Sequence, residues 1–266
     1  IASSVDFSAS ADTVGIYSLK GGLGSTVVRM YGAKRTLPGL NLDFLADTTQ
    51  VRANVEAKGL FLDFNSPVSL NSFITGIDTV MVEFKNQSDS VMYNIEKIKN
   101  LLPPCNISFS MDNNPIISTL LKRNGITLGL TELNFSSEYD SPLYLKSRIT
   151  SLAREGVSID SICANLNQNQ EALDYRFSVS GIKENSANGS SIVLDGKAQN
   201  NILTINCLQT DDKSRVGFDF GGKLSLIPQH VEFSMITPKP VLGYTEFSVN
   251  EGNYISYGEE GRVEAD

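Results

Sequence analysis

The chain has 266 residues, 41% of them hydrophobic and 20% charged, with a formal net charge of −8 at pH 7. That is enough apolar material for one large core or two smaller ones, and it excludes a disordered chain. An acidic balance without a Lys/Arg cluster argues against a nucleic-acid partner, and no apolar run approaches the roughly 18 residues that a spanning helix needs.

Ile1 opens inside an alternating pattern, with no basic n-region or apolar h-region ahead of it, which predicts a piece of a longer protein. Four alternating runs then break at an aspartate followed by Ser or Thr: FSASADTVGIYSL (7–19), LDFLADTTQVRANV (42–55), FITGIDTVMVEF (73–84) and VSIDSICANL (157–166). Asp and Ser/Thr bond the local backbone, so Asp12, Asp47, Asp78 and Asp160 read as turns between strands. Their spacings of 35, 31 and 82 residues predict a degenerate strand-pair repeat with an insertion. Gly21 to Thr26 resembles a phosphate loop, but it lacks the Lys of GxxxxGK[ST] and joins two alternating runs, which predicts a hairpin turn.

Period-2 alternation continues through Leu40–Ala46, Val51–Ala57 and Leu60–Phe64. Two segments depart from it. Over 88–102, Val91, Ile95, Ile98 and Leu102 stand at helical spacing before Pro103-Pro104. Over 114–124, Asn114 is an N-cap, Pro115 fills N1, and Lys122 and Arg123 close the last turn before Gly125. Both read as short amphipathic helices covering apolar sheet surface. Alternation resumes at Tyr175–Val179, Leu203–Cys207 and Val231–Met235, and from Val216 to Leu226 every even position is apolar or Gly. The pattern predicts about fifteen or more antiparallel strands, joined by polar turns such as 199–201 and 211–213. It divides the chain into a first sheet segment (1–87), a helical insertion (88–125) and a second sheet segment (126–266) within one continuous β-structure.

Little chemistry is offered. The single histidine, His230, has no GxSxG serine or cysteine nearby, and reads as a strand-start surface residue. Asp211-Asp212 and Glu259-Glu260 are neighbours, and neighbours in an extended chain point to opposite sides, so they cannot face each other across a sugar. Tyr254 and Tyr257 are placed on opposite faces by the same rule. Cys105, Cys163 and Cys207 have no CxxC pairing or neighbouring His, so free thiols are expected rather than a zinc site. No enzyme activity, cofactor or metal is predicted.

The apolar face of so many half-apolar strands must be hidden by closing a barrel, packing a sandwich or holding apolar ligand. The chain has no Trp, which removes the aromatic girdle of an outer-membrane barrel and the Cys…Trp…Cys of an immunoglobulin sandwich.

Residues 174–266 resemble an internal segment of the TamB/AsmA-like superfamily of Gram-negative envelope proteins. The resemblance rests on NILTIN (201–206), RVGFDFG (215–221) and NYISYGEEGRV (253–263), and NISFSMDNNPIISTLLKRNG (106–125) resembles an insertion of some large members. It implies a mainly β fold, a long curved antiparallel sheet (a β-taco, or open barrel-like groove). It also implies a periplasmic location, with a parent protein anchored in the inner membrane and reaching the outer membrane. The implied function is shielding of acyl chains during phospholipid transfer, with support for outer-membrane protein assembly through machinery met elsewhere in the parent. Parity assigns Phe177, Val179, Leu203, Ile205, Phe218, Phe220, Leu224, Val231 and Phe233 to the groove wall, with packing in a closed core as the alternative for each. The competing reading is an extracytoplasmic all-β adhesion module for carbohydrate or protein. The Asp-Ser/Thr breaks also resemble an O-glycosylation acceptor pattern of some gut-dwelling Gram-negatives, which implies Thr13, Thr48, Thr79, Ser90 and Ser161 as modification sites.

Overall fold

In the computed structural model of the chain, residues 5–11, 16–30, 32–89, 94–169, 172–184, 189–227, 230–258 and 263–265 are described. Of the described residues 59% are in strands and 15% in helices, so strand pairing decides the fold. The first strands are β1 (Val5–Ala11), β2 (Tyr17–Leu23), β3 (Thr26–Met30), β4 (Ala33–Leu37), β5 (Leu40–Ala46), β6 (Val51–Ala57) and β7 (Leu60–Ser66). Helices α1 (Leu70–Asp89) and α2 (Ile95–Leu101) lead to β8 (Asn106–Met111), and α3 (Pro115–Arg123) leads to β9 (Ile126–Leu128). Then come β10 (Thr131–Ser136), β11 (Tyr144–Ile149), β12 (Leu152–Arg154), β13 (Val157–Ile159), β14 (Ser161–Asn169), β15 (Ala172–Glu184) and β16 (Ser190–Gln199). The chain continues through β17 (Ile202–Asp211), β18 (Val216–Ile227), β19 (His230–Met235), β20 (Val241–Leu242), β21 (Thr245–Glu246), β22 (Ile255–Gly258) and β23 (Val263–Ala265).

Every pairing among the described residues is antiparallel. The main ladder runs β1-β2-β5-β6-β7-β8-β10-β11-β14-β15-β16-β17-β18-β19-β22-β23, each strand bonded to the next. This long sheet is not closed into a barrel, and the twist between neighbours coils a sheet of so many strands. The sheet continues across the helical insertion, because β8, which lies inside it, pairs with both β7 and β10.

Several local expectations are corrected. FITGIDTVMVEF is not a strand pair but the middle of α1. Ser69 starts this helix: its hydroxyl accepts the Ser72 amide at 3.2 Å and its carbonyl accepts the Phe73 amide at 2.9 Å. Apolar residues at 70, 73, 74, 77, 80, 81 and 84 follow helical spacing, and they override a period-2 pattern that matches only over the last few positions. The helix expected over 88–102 is the shorter α2, with Asn94 accepting from the Lys97 amide at 2.7 Å, while α1 ends at Asp89. Asp47 does make a turn and Asp160 stands at the bend between β13 and β14, but Asp78 is mid-helix, and Asp12 lies outside the described residues. The three described aspartates therefore occupy unlike elements, and their spacing marks no structural repeat. Gly24-Ser25 is not a hairpin turn between paired strands. It leads from β2 into a separate ribbon, β3 with β4, and β2 pairs instead with β5.

Both helical additions sit at strand ends. Ala46, Val51, Ser66, Cys105, Ser137, Leu143, Gln168 and Ala172 are buried, all at one end of the strands from β5 to β15. There the Ser66 hydroxyl donates to the Pro104 carbonyl and the Ser137 hydroxyl to the Pro103 carbonyl, each at 2.7 Å, and burial pushes the Cys105 thiol up. Helices α1 and α2 cover this end. Gly76 lets α1 approach Pro103, and buried Gln87 accepts the Asn94 amide at 2.7 Å while donating to Glu83 at 2.8 Å. The Phe73 ring meets Phe64 of β7 edge-on at 5.3 Å. At the other end the α3 cap is as expected: Asn114 accepts from the Ile116 and Ile117 amides at 3.1 Å and donates to the Lys58 carbonyl at 3.1 Å. The short ladder β9-β12-β13 attaches there to β15 beyond Gly181, whose φ of +64° allows the strand to bulge.

The β5–β6 turn gives a pH prediction. Asp47 accepts the Thr49 amide at 2.6 Å, the Thr49 hydroxyl at 2.7 Å and the Gln50 amide at 2.9 Å, and these bonds, the Thr49 amide foremost, hold its carboxyl down to about 2 from 3.8. A depressed carboxyl contributes stability above its unfolded value and loses it as pH falls through the folded one. Asp47→Asn is therefore expected to unfold more easily than the parent at pH 6, with the difference disappearing as pH falls from 4 toward 2. Thermal unfolding across that range checks it, and a difference that stays constant with pH would refute the turn's charge dependence.

Candidate functional site

Residues paired across neighbouring strands share a face, so register tells which side chains lie together. One row crosses fourteen strands: Ala9, Leu19, Phe44, Ala53, Phe64, Ile107, Phe135, Leu145, Leu166, Tyr175, Gly196, Ile205, Gly222 and Met235. The next row on the same face runs Gly21, Leu42, Val55, Leu62, Phe109, Leu133, Ser147, Ala164, Phe177, Leu194, Cys207 and Phe220. The opposite face reads Ser8, Lys20, Asp43, Asn54, Asp63, Ser108, Asn134, Lys146, Asn165, Arg176, Asp195 and Asn206. At about 4.8 Å per strand, the fourteen-strand apolar row is about 60 Å long.

The apolar face is only partly hidden. Its members are mostly half-buried, and Tyr17, Phe177, Ile192, Phe218, Ile255 and Tyr257 are exposed. On strands β5 to β7, Asn41, Asp43, Arg52, Glu56, Asp63 and Asn65 are exposed on the polar side, where Leu45 and Phe61 also stand, while the apolar side is half-buried or buried throughout. The one phenol in the long row is satisfied inside the sheet, since Tyr175 Oη donates to the Thr204 carbonyl at 2.8 Å. Burial pushes that phenol's pKa up.

All nine residues assigned to the groove wall stand on this face. Phe177 and Phe220 belong to the second row and Ile205 to the first. Val179 aligns with Ile192, Gln209 and Phe218, and Leu203 aligns with Leu224 and Phe233. Val231 pairs with Leu226 and Tyr257. The half of the face built from β2 to β11, including Phe44, Phe64 and Leu145, adds residues that sequence parity left unassigned. Their alternation was visible, but it does not tell which strand lies against which.

The Asp-Ser/Thr positions share no common environment. Thr13 and Ser90 lie outside the described residues. Thr48 is exposed at the β5–β6 turn, Thr79 donates to the Thr75 carbonyl within α1, and Ser161 shares a hydroxyl–hydroxyl bond of 2.7 Å with Ser180.

His230 starts β19 opposite Ile227 and Gly258, on the polar side. Asp211 closes a turn by accepting the Lys213 and Arg215 amides and the Arg215 guanidinium, which hold its carboxyl down against the opposing effect of burial. No group of three or more His, Cys, Asp or Glu able to hold a metal ion occurs among the described residues, and the three cysteines are unpaired. A cavity of about 670 Å³ between α3 and β9, lined by Ser118, Leu121, Lys122, Ile126 and Leu128, contains no acid–base pair.

Fold and face together define a class of molecule: an open antiparallel sheet with one continuous apolar side and one polar side. Among known proteins no family model, curated protein or solved structure matches the chain.

Proposed function

We propose that this chain is a segment of a periplasmic envelope-biogenesis protein of the TamB/AsmA-like kind, whose apolar sheet face shields acyl chains as phospholipid passes between the inner and outer membranes. The observation that supports this reading is the apolar row of fourteen strands, exposed in part and interrupted by no charged side chain. Exposed apolar area on this scale needs an occupant. Each buried CH₂ is worth about 0.8 kcal/mol, so an acyl chain laid along the row binds strongly without needing a polar contact. Uniform walls also let the chain slide, which a pocket with fixed hydrogen-bond partners would prevent. Anchoring in the inner membrane and contact with the outer-membrane assembly machinery belong, in this reading, to the parent protein. The chain acts as a binding surface and not as a catalyst.

The test is lipid occupancy. Native mass spectrometry of the purified chain is expected to show co-purified phospholipid, and the delipidated chain is expected to take up a fluorescent fatty acid. Absence of both would sink the proposal.

A further inference from the structure

Helix α1 carries a second apolar surface, separate from the sheet. Leu70, Ile74, Ile77, Met81 and Phe84 follow one another at alternating steps of four and three, the spacing of a coiled-coil seam. They are 36, 50, 39, 65 and 46% exposed. The helix already uses another side for its own chain: Val80 and Gln87 are buried, and Gly76 lies against Pro103. The seam is thus left free on a helix whose orientation is fixed.

We propose that α1 pairs antiparallel with α1 of a second copy of this chain. Charge beside the seam selects that occupant. Asp78 and Lys85 are exposed on the same flank, seven residues apart, and among the described residues neither makes an ion pair. A two-fold axis perpendicular to the helix maps that flank onto itself, so Asp78 meets the partner's Lys85 and Lys85 meets the partner's Asp78. Met81 then packs near the axis, and Ile77 and Phe84 exchange places across it. An anionic bilayer is the poorer fit, because α1 carries Asp78, Glu83 and Asp89 against Lys85 and the chain has a net charge of −8. Since α1 follows Ser66 and caps that end of the strands, the pairing joins two sheets at their covered ends and leaves both apolar faces free. The proposal does not depend on what occupies those faces.

A single helix pair is a small contact, so the dimer is expected to be weak and concentration-dependent. Sedimentation of the purified chain from micromolar to several hundred micromolar is expected to show a monomer–dimer equilibrium. Asp78→Lys, which sets like charges against each other twice, is expected to weaken it at least about tenfold, and the double swap Asp78→Lys with Lys85→Asp to restore it within about threefold. Met81→Glu is expected to abolish it. Both flanking residues are exposed, so the charge variants test association without touching the core. A chain that stays monomeric throughout overturns the proposal. So does a dimer indifferent to Asp78→Lys, a double swap that recovers nothing, or binding of the monomer to zwitterionic vesicles that Met81→Glu removes.

Discussion

Phe177→Glu and Phe218→Glu are each expected to cut binding of a fluorescent fatty acid at least about tenfold, whereas Leu208→Glu leaves it unchanged. The three positions are matched in exposure, at 41, 44 and 39% in the order Phe177, Phe218, Leu208. They lie on nearby strands, β15, β18 and β17, yet Phe177 and Phe218 stand on the apolar face, and Leu208 stands on the polar one between Val193 and Asp219. A carboxylate on the apolar face must lose water whenever an acyl chain crosses it, and burying an unpaired charge costs several kcal/mol. A tenfold change needs only about 1.4 kcal/mol, so one site suffices. Because all three side chains are already partly in water, thermal midpoints should fall by similar small amounts, which separates a binding effect from a folding one. Equal loss of binding in all three variants would mean that the probe does not use this face. No loss in any would remove the acyl-chain reading from this part of the sheet.

Alternation carries the face of a single strand and not the identity of its neighbours. Even positions from Phe218 to Leu226 were legible as one face because period 2 is a property of a single strand. That Phe177, Leu194, Cys207 and Phe220 form one row is a property of register, which depends on turn length and bulges such as those between Val179 and Ile182 and between Gln209 and Thr210. Helix α1 was missed for a related reason. Val80, Val82 and Phe84 satisfy alternation locally, while the apolar spacing over the whole of 70–84, the cap at Ser69 and the packing of Gly76 on Pro103 decide for the helix. The ribbon β3–β4 looked like a continuation of the sheet because a strand's partner is not written in its own residues. Turn chemistry was most readable where a side chain bonds its own neighbours, as at Asp47, Asp211 and Asn114. It misled at Asp78, where the following hydroxyl of Thr79 bonds back into a helix instead.

Gly196→Ala is expected to destabilise the chain by about 3 kcal/mol, the upper end of what overpacking costs. Gly196 lies in β16 between Tyr175 and Ile205, in the middle of the long apolar row. A Cβ there would stand 1.8 Å from the Thr204 carbonyl oxygen and 2.6 Å from Tyr175 Oη. The first of these is backbone and cannot swing aside. It is held further by Thr204 itself, whose hydroxyl accepts the Lys197 amide at 3.0 Å, so the substitution must part β16 from β17. Tyr175 occupies the space that the glycine leaves, lying across it to bond the Thr204 carbonyl, and Phe233 covers Gly222 of β18 in the same way. Tyr175→Phe keeps the ring and removes only the hydrogen bond, so its expected cost is about 1 kcal/mol. The double variant separates the two contacts: if the carbonyl clash dominates, Gly196→Ala costs nearly as much in the Tyr175→Phe background as in the parent. Urea denaturation of the four proteins checks this, and a loss below about 1 kcal/mol for Gly196→Ala would show that the strands can move apart at that point. The glycine and its covering tyrosine also keep the row apolar. With the phenol turned inward onto the Thr204 carbonyl, the hydroxyl of Tyr175 is satisfied within the sheet.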